Sequence, residues 1–396
     1  MRSSFAVQLV RFVNWASVKL HRGSGTVAGG RVGLRLAPKL LSDLARGREI
    51  VLVTGTNGKT TTTSMVRAGW GEPCISNETG ANMPAGHVAA LCASAAQKVV
   101  LETDEAWLDS VATSTNPKVI VVLNLSRDQL DRVSEVRQLA ERWRSLFEKL
   151  DPAVTTVVAN ANDPLTVYAA RGYANVSWVD VPAQWNSDAS SCPVCTKHIQ
   201  FRQHNWFCDC GFEKPLVLAA QLRDDFSSGA VHLPIQLSMP GNFNKSNAAI
   251  ALVALSKLGV AFRDALPAIE ALRDVQGRFS VRSWHGHEVQ VALAKNPSGF
   301  AAMLETLSDD DLFVAIGINA RIADGKDPSW LYDIPVECLR AKTVYCFGDR
   351  ALDLAARLDY ANIAFTLDEE MWPQDARVVP LIANYTAFSE VLAVSQ

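Results

Sequence analysis

Between residues 48 and 163 the apolar residues fall in short, unbroken runs. REIVLVTG (Arg48–Gly55), QKVVLETD (Gln97–Asp104), PKVIVVLNLS (Pro117–Ser126) and TTVVANAND (Thr155–Asp163) are each too short for a helix and rich in β-branched residues. They read as strands buried on both faces. Helical spacing separates them, in TTTSMVRAG (Thr61–Gly69) and in SEVRQLAERWRSLFEKL (Ser134–Leu150). Buried strands alternating with helices predict an α/β fold with a parallel, doubly wound sheet. Ligands of such sheets gather at the carboxyl ends of the strands, and every run named here ends in polar residues.

The pattern breaks over residues 188–215, a cysteine-bearing insertion, and MPGNFNKSNAAIALVALSKLG (Met239–Gly259) then leads into a helix. After Gly277-Arg278 it restarts in HEVQVALAKNP, DLFVAIGIN, TVYCFG and RVVPLIANY, predicting a second α/β domain. The expected division is a basic helical segment over 1–48, a nucleotide-binding domain over 49–282 with its insertion, and a C-terminal domain over 283–396. In the first segment, residues 5–20 put Phe5, Leu9, Phe12, Val13 and Leu20 near one helical face, with Arg2, Arg11 and Lys19 elsewhere. That face either packs on the protein body or lies against anionic lipid.

Composition narrows the class. The 396 residues are 48% hydrophobic and 20% charged, ample for two or three cored domains and unlike a disordered chain. A net charge of -3 gives no reason to expect nucleic acid. The charge is uneven: residues 1–48 hold nine Lys/Arg and one acid, Asp43, about +8, leaving about -11 for the rest. No apolar run reaches the roughly 18 residues of a membrane span, and the N-terminus lacks a secretory h-region. A cytoplasmic protein with reduced thiols is expected, peripheral to the membrane if the basic segment touches lipid.

VLVTGTNGKTTTTSM (Val51–Met65) carries the first chemistry. Backbone N–H groups of residues 56–60 at a helix N-terminus form an anion cradle, and Lys59 adds a charge for β/γ-phosphates. Thr60 or Thr61 offers a hydroxyl to Mg²⁺. Oxygen ligands for that ion come from LETDEAW, with Glu105 ranked ahead of Glu102 and Asp104 nearby. The glycines are closer than in the common phosphate loop, since Gly55-x-x-Gly58-Lys59-Thr60 lacks two intervening residues.

GTNGKTTT, NLSRDQLDR (Asn124–Arg132), NANDP (Asn160–Pro164), PGNFNKSNA (Pro240–Ala248) and Gly277-Arg278 occur in the order that resembles the Mur ligase and folylpolyglutamate synthase superfamily. The resemblance spans about residues 25–396. It implies phosphorylation of a carboxylate by ATP and capture of the acyl phosphate by an amine. ETGANMPAG, RDQLDR, KNPSGF, ADGKDPSWLYD, ANYTAF and the four-cysteine insertion are similar to one branch, the MurT synthetase subunits of lipid II isoglutaminyl synthase. That implies amidation of the D-glutamate α-carboxylate in the lipid II stem peptide, with ammonia from a glutaminase partner, GatD. It also implies that Asp327, or else Asp324, serves the partner's Cys-His pair. Gln129 stands where many Mur ligases have His, and Ala320 where the branch has Asp. Asn162 and Asp163 are candidates to contact adenosine, Asn244, Asn247 and Arg278 to reach nucleotide or phosphate, and Lys295 and Asn296 to touch the substrate carboxylate. Two competing readings keep the fold: an amide ligase using an amino acid, or an idle nucleotide-binding scaffold.

Cys192, Cys195, Cys208 and Cys210 read C-x₂-C-x₁₂-C-x-C. Four thiolates in a short ribbon suit a closed tetrahedral Zn²⁺ site, with free or redox thiols as the alternative. The insertion holds only Lys197, Arg202 and Lys214 as cations, which speaks against a nucleic-acid ribbon.

Overall fold

A computed structural model describes residues 2–20, 27–77, 80–127, 135–182, 185–273, 275, 279–373 and 378–394. The chain forms two compact units, 1–125 with 137–238 and 244–272, and 126–136 with 239–243 and 273–396. Residues 1–48 fall in the first unit, and residues 126–136, 239–243 and 273–282 group with the C-terminal part of the chain.

The first unit is built on β1 (Glu49–Thr54), β2 (Cys74–Ser76), β3 (Lys98–Glu102), β4 (Val119–Val122), β5 (Thr156–Asn160) and β6 (Val176–Asp180). All six run parallel, in the order β6-β5-β4-β1-β3-β2. β1 and β4 are almost wholly buried, as strands covered on both faces must be. Beyond β6 and the insertion hairpin β7 (Gln200–Arg202) and β8 (Asn205–Phe207), three short strands extend the sheet: β9 (Ala220–Leu222), β10 (Phe226–Ser228) and β11 (Val231–Leu233).

Three helices precede β1: α1 (Arg2–Lys19), α2 (Ala28–Leu36) and α3 (Leu40–Ala45). α4 (Lys59–Trp70) follows the phosphate-type loop, and α5 (Pro84–Ala93) follows β2. Glycines let the N-terminal helices pack closely. A Cβ on Gly29 would lie 2.4 Å from the Val10 carbonyl, and one on Gly30 would lie 1.8 Å from the Ala85 carbonyl of α5. α1 does pack on the body, but through the face that carries Ala6 and Val10, both fully buried. On the apolar face read from the sequence, Leu9 and Val13 are half-buried while Phe5, Phe12 and Leu20 are exposed, because the close approach of Gly29 and Gly33 centres the contact on Ala6 and Val10.

The second unit's sheet comprises β12 (Val281–Trp284), β13 (His287–Leu293), β14 (Phe313–Gly317), β15 (Thr343–Phe347), β16 (Ala364–Thr366) and β17 (Val379–Ala383). Its order is β12-β13-β17-β14-β15-β16, parallel apart from the β12/β13 hairpin. β14 and β17 are neighbours, so the loops at their carboxyl ends, both quoted above for their polar residues, rise side by side.

Candidate active site and metal centre

The loop between β1 and α4 is shaped by two glycines in left-handed backbone, Gly55 (φ +139) and Gly58 (φ +86). A side chain at Gly58 would strike the Asn247 amide at 2.7 Å, which sets the helix Asn242–Ser256 directly beneath the loop. Asn124, at the end of β4, clamps the loop from the other side. Its Oδ1 accepts from the Asn57 N–H at 2.9 Å, its Nδ2 donates to the Asn57 carbonyl at 3.0 Å, and its own carbonyl accepts from Thr56 N–H at 3.0 Å. In the sequence the only signal for this clamp is a polar residue just after a buried strand, in NLSRDQLDR.

Lys59 is 7% exposed, and its ammonium donates to the Gly55 carbonyl at 2.7 Å and to Glu105 Oε1 at 2.9 Å. Such a lysine is held inside the concave face of the loop, where an anion would meet it. Thr60 donates its hydroxyl to Glu102 Oε2 at 2.8 Å. The spacing expectation ranked Glu105 first beside the threonine, yet the geometry pairs Thr60 with Glu102 and gives Glu105 to Lys59. Glu102 ends β3 and is 4% exposed. Its backbone is fixed from both sides by Asn77, through two 2.8 Å hydrogen bonds, and by His87 Nε2 at 2.8 Å. Burial lowers the His87 imidazole to about 4, so it is neutral near pH 7. No local sequence pattern marks Asn77, Asn82 or His87 for this role. The Thr60 hydroxyl and the Glu102 carboxylate oxygens are hard oxygen donors of the kind Mg²⁺ takes, and the Asn82 amide approaches Glu102 Oε1 at 3.5 Å.

The softer candidates separate. Asp163 is an N-cap: Oδ1 accepts from Leu165 and Thr166 N–H at 2.9 Å each, and Oδ2 from Leu125 N–H at 2.8 Å. Burial raises its carboxyl to about 6 against those hydrogen bonds. Asn162 donates to Asp180 and to the Val181 carbonyl. Both residues thus have structural work that accounts for them at the end of β5. Asn244 and Asn247 are buried in the helix under the loop. Thr61 is buried in the first turn of α4. Asn296 is buried and caps the helix Pro297–Leu304, accepting from Gly299 N–H at 2.8 Å, with Lys295 just before it. Arg278 and Gln129 lie outside the described residues.

The four cysteines converge. All four Sγ atoms lie within 4.8 Å of one another, with Cys192–Cys210 at 3.7 Å and Cys195–Cys208 at 3.4 Å. Sulfurs around a tetrahedral zinc, each about 2.3 Å from the ion, stand about 3.8 Å apart, so the cluster fits that ion. The Lys197 backbone N–H draws the Cys195 thiol down to about 7, whereas, against the Cys210 backbone N–H, desolvation and the neighbouring thiols push Cys208 up to about 12, so the four thiols do not ionise alike. Behind the cluster, Trp206 and Phe212 are buried with ring centroids 5.0 Å apart. The Trp206 indole donates to the Ala161 carbonyl at 3.0 Å, tying the ribbon to the end of β5.

In the second unit, the loop after β14 is anchored by residues after β17. Asn384 Nδ2 donates to the Asn319 carbonyl at 2.6 Å, and Asn319 Nδ2 donates to the Thr386 hydroxyl at 3.0 Å. Asp324 is 3% exposed and accepts from Thr386 N–H at 2.8 Å, from the Thr386 hydroxyl, and from Arg321 N–H at 3.3 Å. Asp327 is exposed and accepts from Ser329 N–H at 2.9 Å, and that N–H, with the Ser329 hydroxyl, holds its carboxyl below the usual range. The adjoining turn Ser329–Asp333 is pinned by buried Trp330, 5.3 Å from Phe300. A buried aspartate thus shapes this loop, and an exposed, ionised one is presented by it.

The sequence profile of the Mur ligase middle domain matches residues 53–255, which is 203 of the 396. The chain belongs to the Mur ligase family. Members of this family use ATP and Mg²⁺, in keeping with the loop and its donors. A second profile, MurT ligase C-terminal, matches residues 293–388 and so contains both aspartates. Among curated relatives, the lipid II isoglutaminyl synthase (glutamine-hydrolyzing) subunit MurT of Staphylococcus aureus (strain COL) is 28% identical, over 99% of this chain and 97% of that protein. Its counterpart in Streptococcus pneumoniae (strain ATCC BAA-255 / R6) is also 28% identical, over 94% of each. A solved pseudomurein peptide ligase type C from Methanothermus fervidus shares the fold at 18% identity, with a TM-score of 0.66 over 91% of this chain and 83% of that one.

Proposed function

We propose that this Mur ligase is the synthetase subunit of an ATP-dependent amidotransferase. Its acceptor is the α-carboxylate of D-glutamate in the lipid II stem peptide. The γ-phosphoryl group of ATP passes to that carboxylate, ammonia displaces it from the acyl phosphate, and ADP, phosphate and the amide leave. The ammonia comes from glutamine hydrolysed by a glutaminase partner of the GatD kind. A lipid-linked acceptor would bring the enzyme to a membrane surface.

The observation that carries this reading is the anchored loop after β14, with Asp327 exposed and ionised inside the stretch that matches the MurT C-terminal profile. A ligase acting on its own amino-acid substrate has no use for a carboxylate presented outward in this way. An aspartate that orients a partner's histidine does. At the other site, Lys59 and the loop N–H groups receive the phosphates, and Thr60 with Glu102 hold Mg²⁺, Glu105 keeping Lys59 in place. Mg²⁺ supplies charge neutralisation at the transferring phosphoryl group. Zn²⁺ on the four cysteines is structural, since four protein thiolates leave no open position.

The test is reconstitution with the glutaminase subunit, lipid II, ATP and glutamine, read by mass spectrometry. Conversion of one stem-peptide carboxylate to the amide is expected, and Lys59→Ala should lower it by roughly a hundredfold or more. Product that requires an amino acid in place of glutamine or ammonia would overturn the acceptor chemistry. Undiminished product from Lys59→Ala would overturn the phosphate assignment.

A further inference from the structure

α1 has a second apolar face that the fold does not use. Phe5 is 64% exposed, Phe12 60% and Trp15 56%, opposite the buried Ala6 and Val10. At 3.6 residues per turn these three aromatics share one side of the helix. The Phe12 and Trp15 rings lie 5.9 Å apart, and Lys19 Nζ sits 4.9 Å from the Trp15 centroid. An aromatic ring with a lysine folded beside it is the arrangement that suits a water–lipid boundary, where each has an apolar body and a polar tip.

Charge decides what covers this face. The first 48 residues carry about +8 and the remaining residues about -11. Arg31 and Arg35 are exposed on α2, which packs on α1, and the single acid Asp43 is already paired with Arg46 at 3.2 Å. A second copy of the chain would bring like charges together across this face. An anionic lipid surface attracts the basic end and repels the acidic remainder, so it also selects the orientation. None of the described helices is long and apolar enough to cross a membrane, and α1 carries Arg2, Arg11 and Lys19 within its length.

We propose that α1 lies flat on anionic lipid, seating Phe5, Phe12 and Trp15 at the headgroup–acyl boundary while the neighbouring basic residues meet the headgroups. Nothing in this depends on the ligase reading. Deleting the helix would be a poor test, because Gly29 and Gly33 of α2 pack on Val10 and would lose their cover. The exposed side chains can be changed instead.

The full-length chain should float with vesicles of mixed phosphatidylglycerol and phosphatidylcholine but not with phosphatidylcholine alone, and should release as salt rises. The triple variant Phe5→Ser, Phe12→Ser, Trp15→Ser should lose roughly a hundredfold in partitioning, with an unchanged unfolding temperature. Arg31→Gln with Arg35→Gln should lose roughly tenfold or more on anionic vesicles. Failure of the unaltered chain to float, or equal flotation of the triple variant, overturns the proposal. So does a triple variant that floats normally but dissociates a dimer by light scattering, for the face is then a protein interface.

Discussion

The two aspartates of the loop after β14 should respond oppositely to loss of charge. Asp324→Asn keeps one acceptor for Thr386 N–H but turns an amide N–H₂ toward the Arg321 N–H, so a buried donor faces a donor. Hydrogen bonds to a buried charged group are worth about 1.5–3 kcal/mol each, and the amide retains part of the set, so a net cost of about 2–3 kcal/mol follows. In a unit of this size that corresponds to a fall of roughly 5–10 °C in its unfolding midpoint. Asp327→Asn changes an exposed group that caps one N–H, which asparagine caps equally well, so stability should hold within about 0.5 kcal/mol. Its effect is chemical. An amide neither fixes a histidine tautomer nor stabilises imidazolium, and glutamine-dependent amidation should fall by roughly a thousandfold. Amidation driven by ammonium chloride should persist, because free ammonia bypasses the partner. The assay is a pair of thermal scans with both nitrogen sources measured beside them. Loss of the ammonia-driven reaction in Asp327→Asn would place that residue in the ligase chemistry and refute the reasoning. An Asp324→Asn variant that keeps its midpoint and alone loses glutamine-dependent activity would exchange the two roles.

The remaining predictions concern the first unit. Glu102→Gln should raise the Mg²⁺ concentration needed for ATP turnover by roughly tenfold or more, whereas Glu105→Gln should act mainly on the Lys59 position and leave the Mg²⁺ requirement near normal; titration of turnover with Mg²⁺ separates them, and the reverse ranking would return the ion to Glu105. Protein purified without chelators should carry about one zinc per chain by metal analysis, and Cys208→Ser with Cys210→Ser should lose it and unfold at lower temperature, since structural zinc contributes to folding; metal-free protein of full stability contradicts the site. Asp163 has a folded-state pKa of about 6, above its ordinary value of 3.8, so the native state retains a proton that the unfolded chain releases between those values. Its contribution to stability is therefore fully present below about pH 4 and declines up to about pH 6, by at most roughly 3 kcal/mol. Asp163→Asn should flatten that slope in urea unfolding across the window, and an unchanged slope would show that Asp163 is ionised throughout.

What could be seen in the sequence was whatever a short range determines. Buried strands such as Val51–Thr54 announce themselves because both faces must be apolar, and the phosphate-type loop because glycine, lysine and threonine have fixed places in it. The cysteine ribbon was legible for the same reason: its four ligands lie within 19 residues, and the structure brings all four sulfurs together. Pairings across the sheet were not legible. Glu102 meets Thr60 across 42 residues because β3 lies beside β1, and only the register Val53↔Glu102 decides that the earlier glutamate faces the hydroxyl. Asp324 and Asp327 lie three residues apart in one polar loop, alike in type and neighbourhood. What separates them is Thr386, brought in by the β14/β17 pairing, which buries one carboxylate and leaves the other in water. In α1 the periodic reading found an apolar face but left open whether it packs inward or meets lipid. Aromatics are the usual core residues, but here the glycines of α2 centre the contact on Ala6 and Val10. A helix apolar on two sides has one more face than its fold requires, and the surplus face is the part of this sequence most directly shaped by something outside the protein.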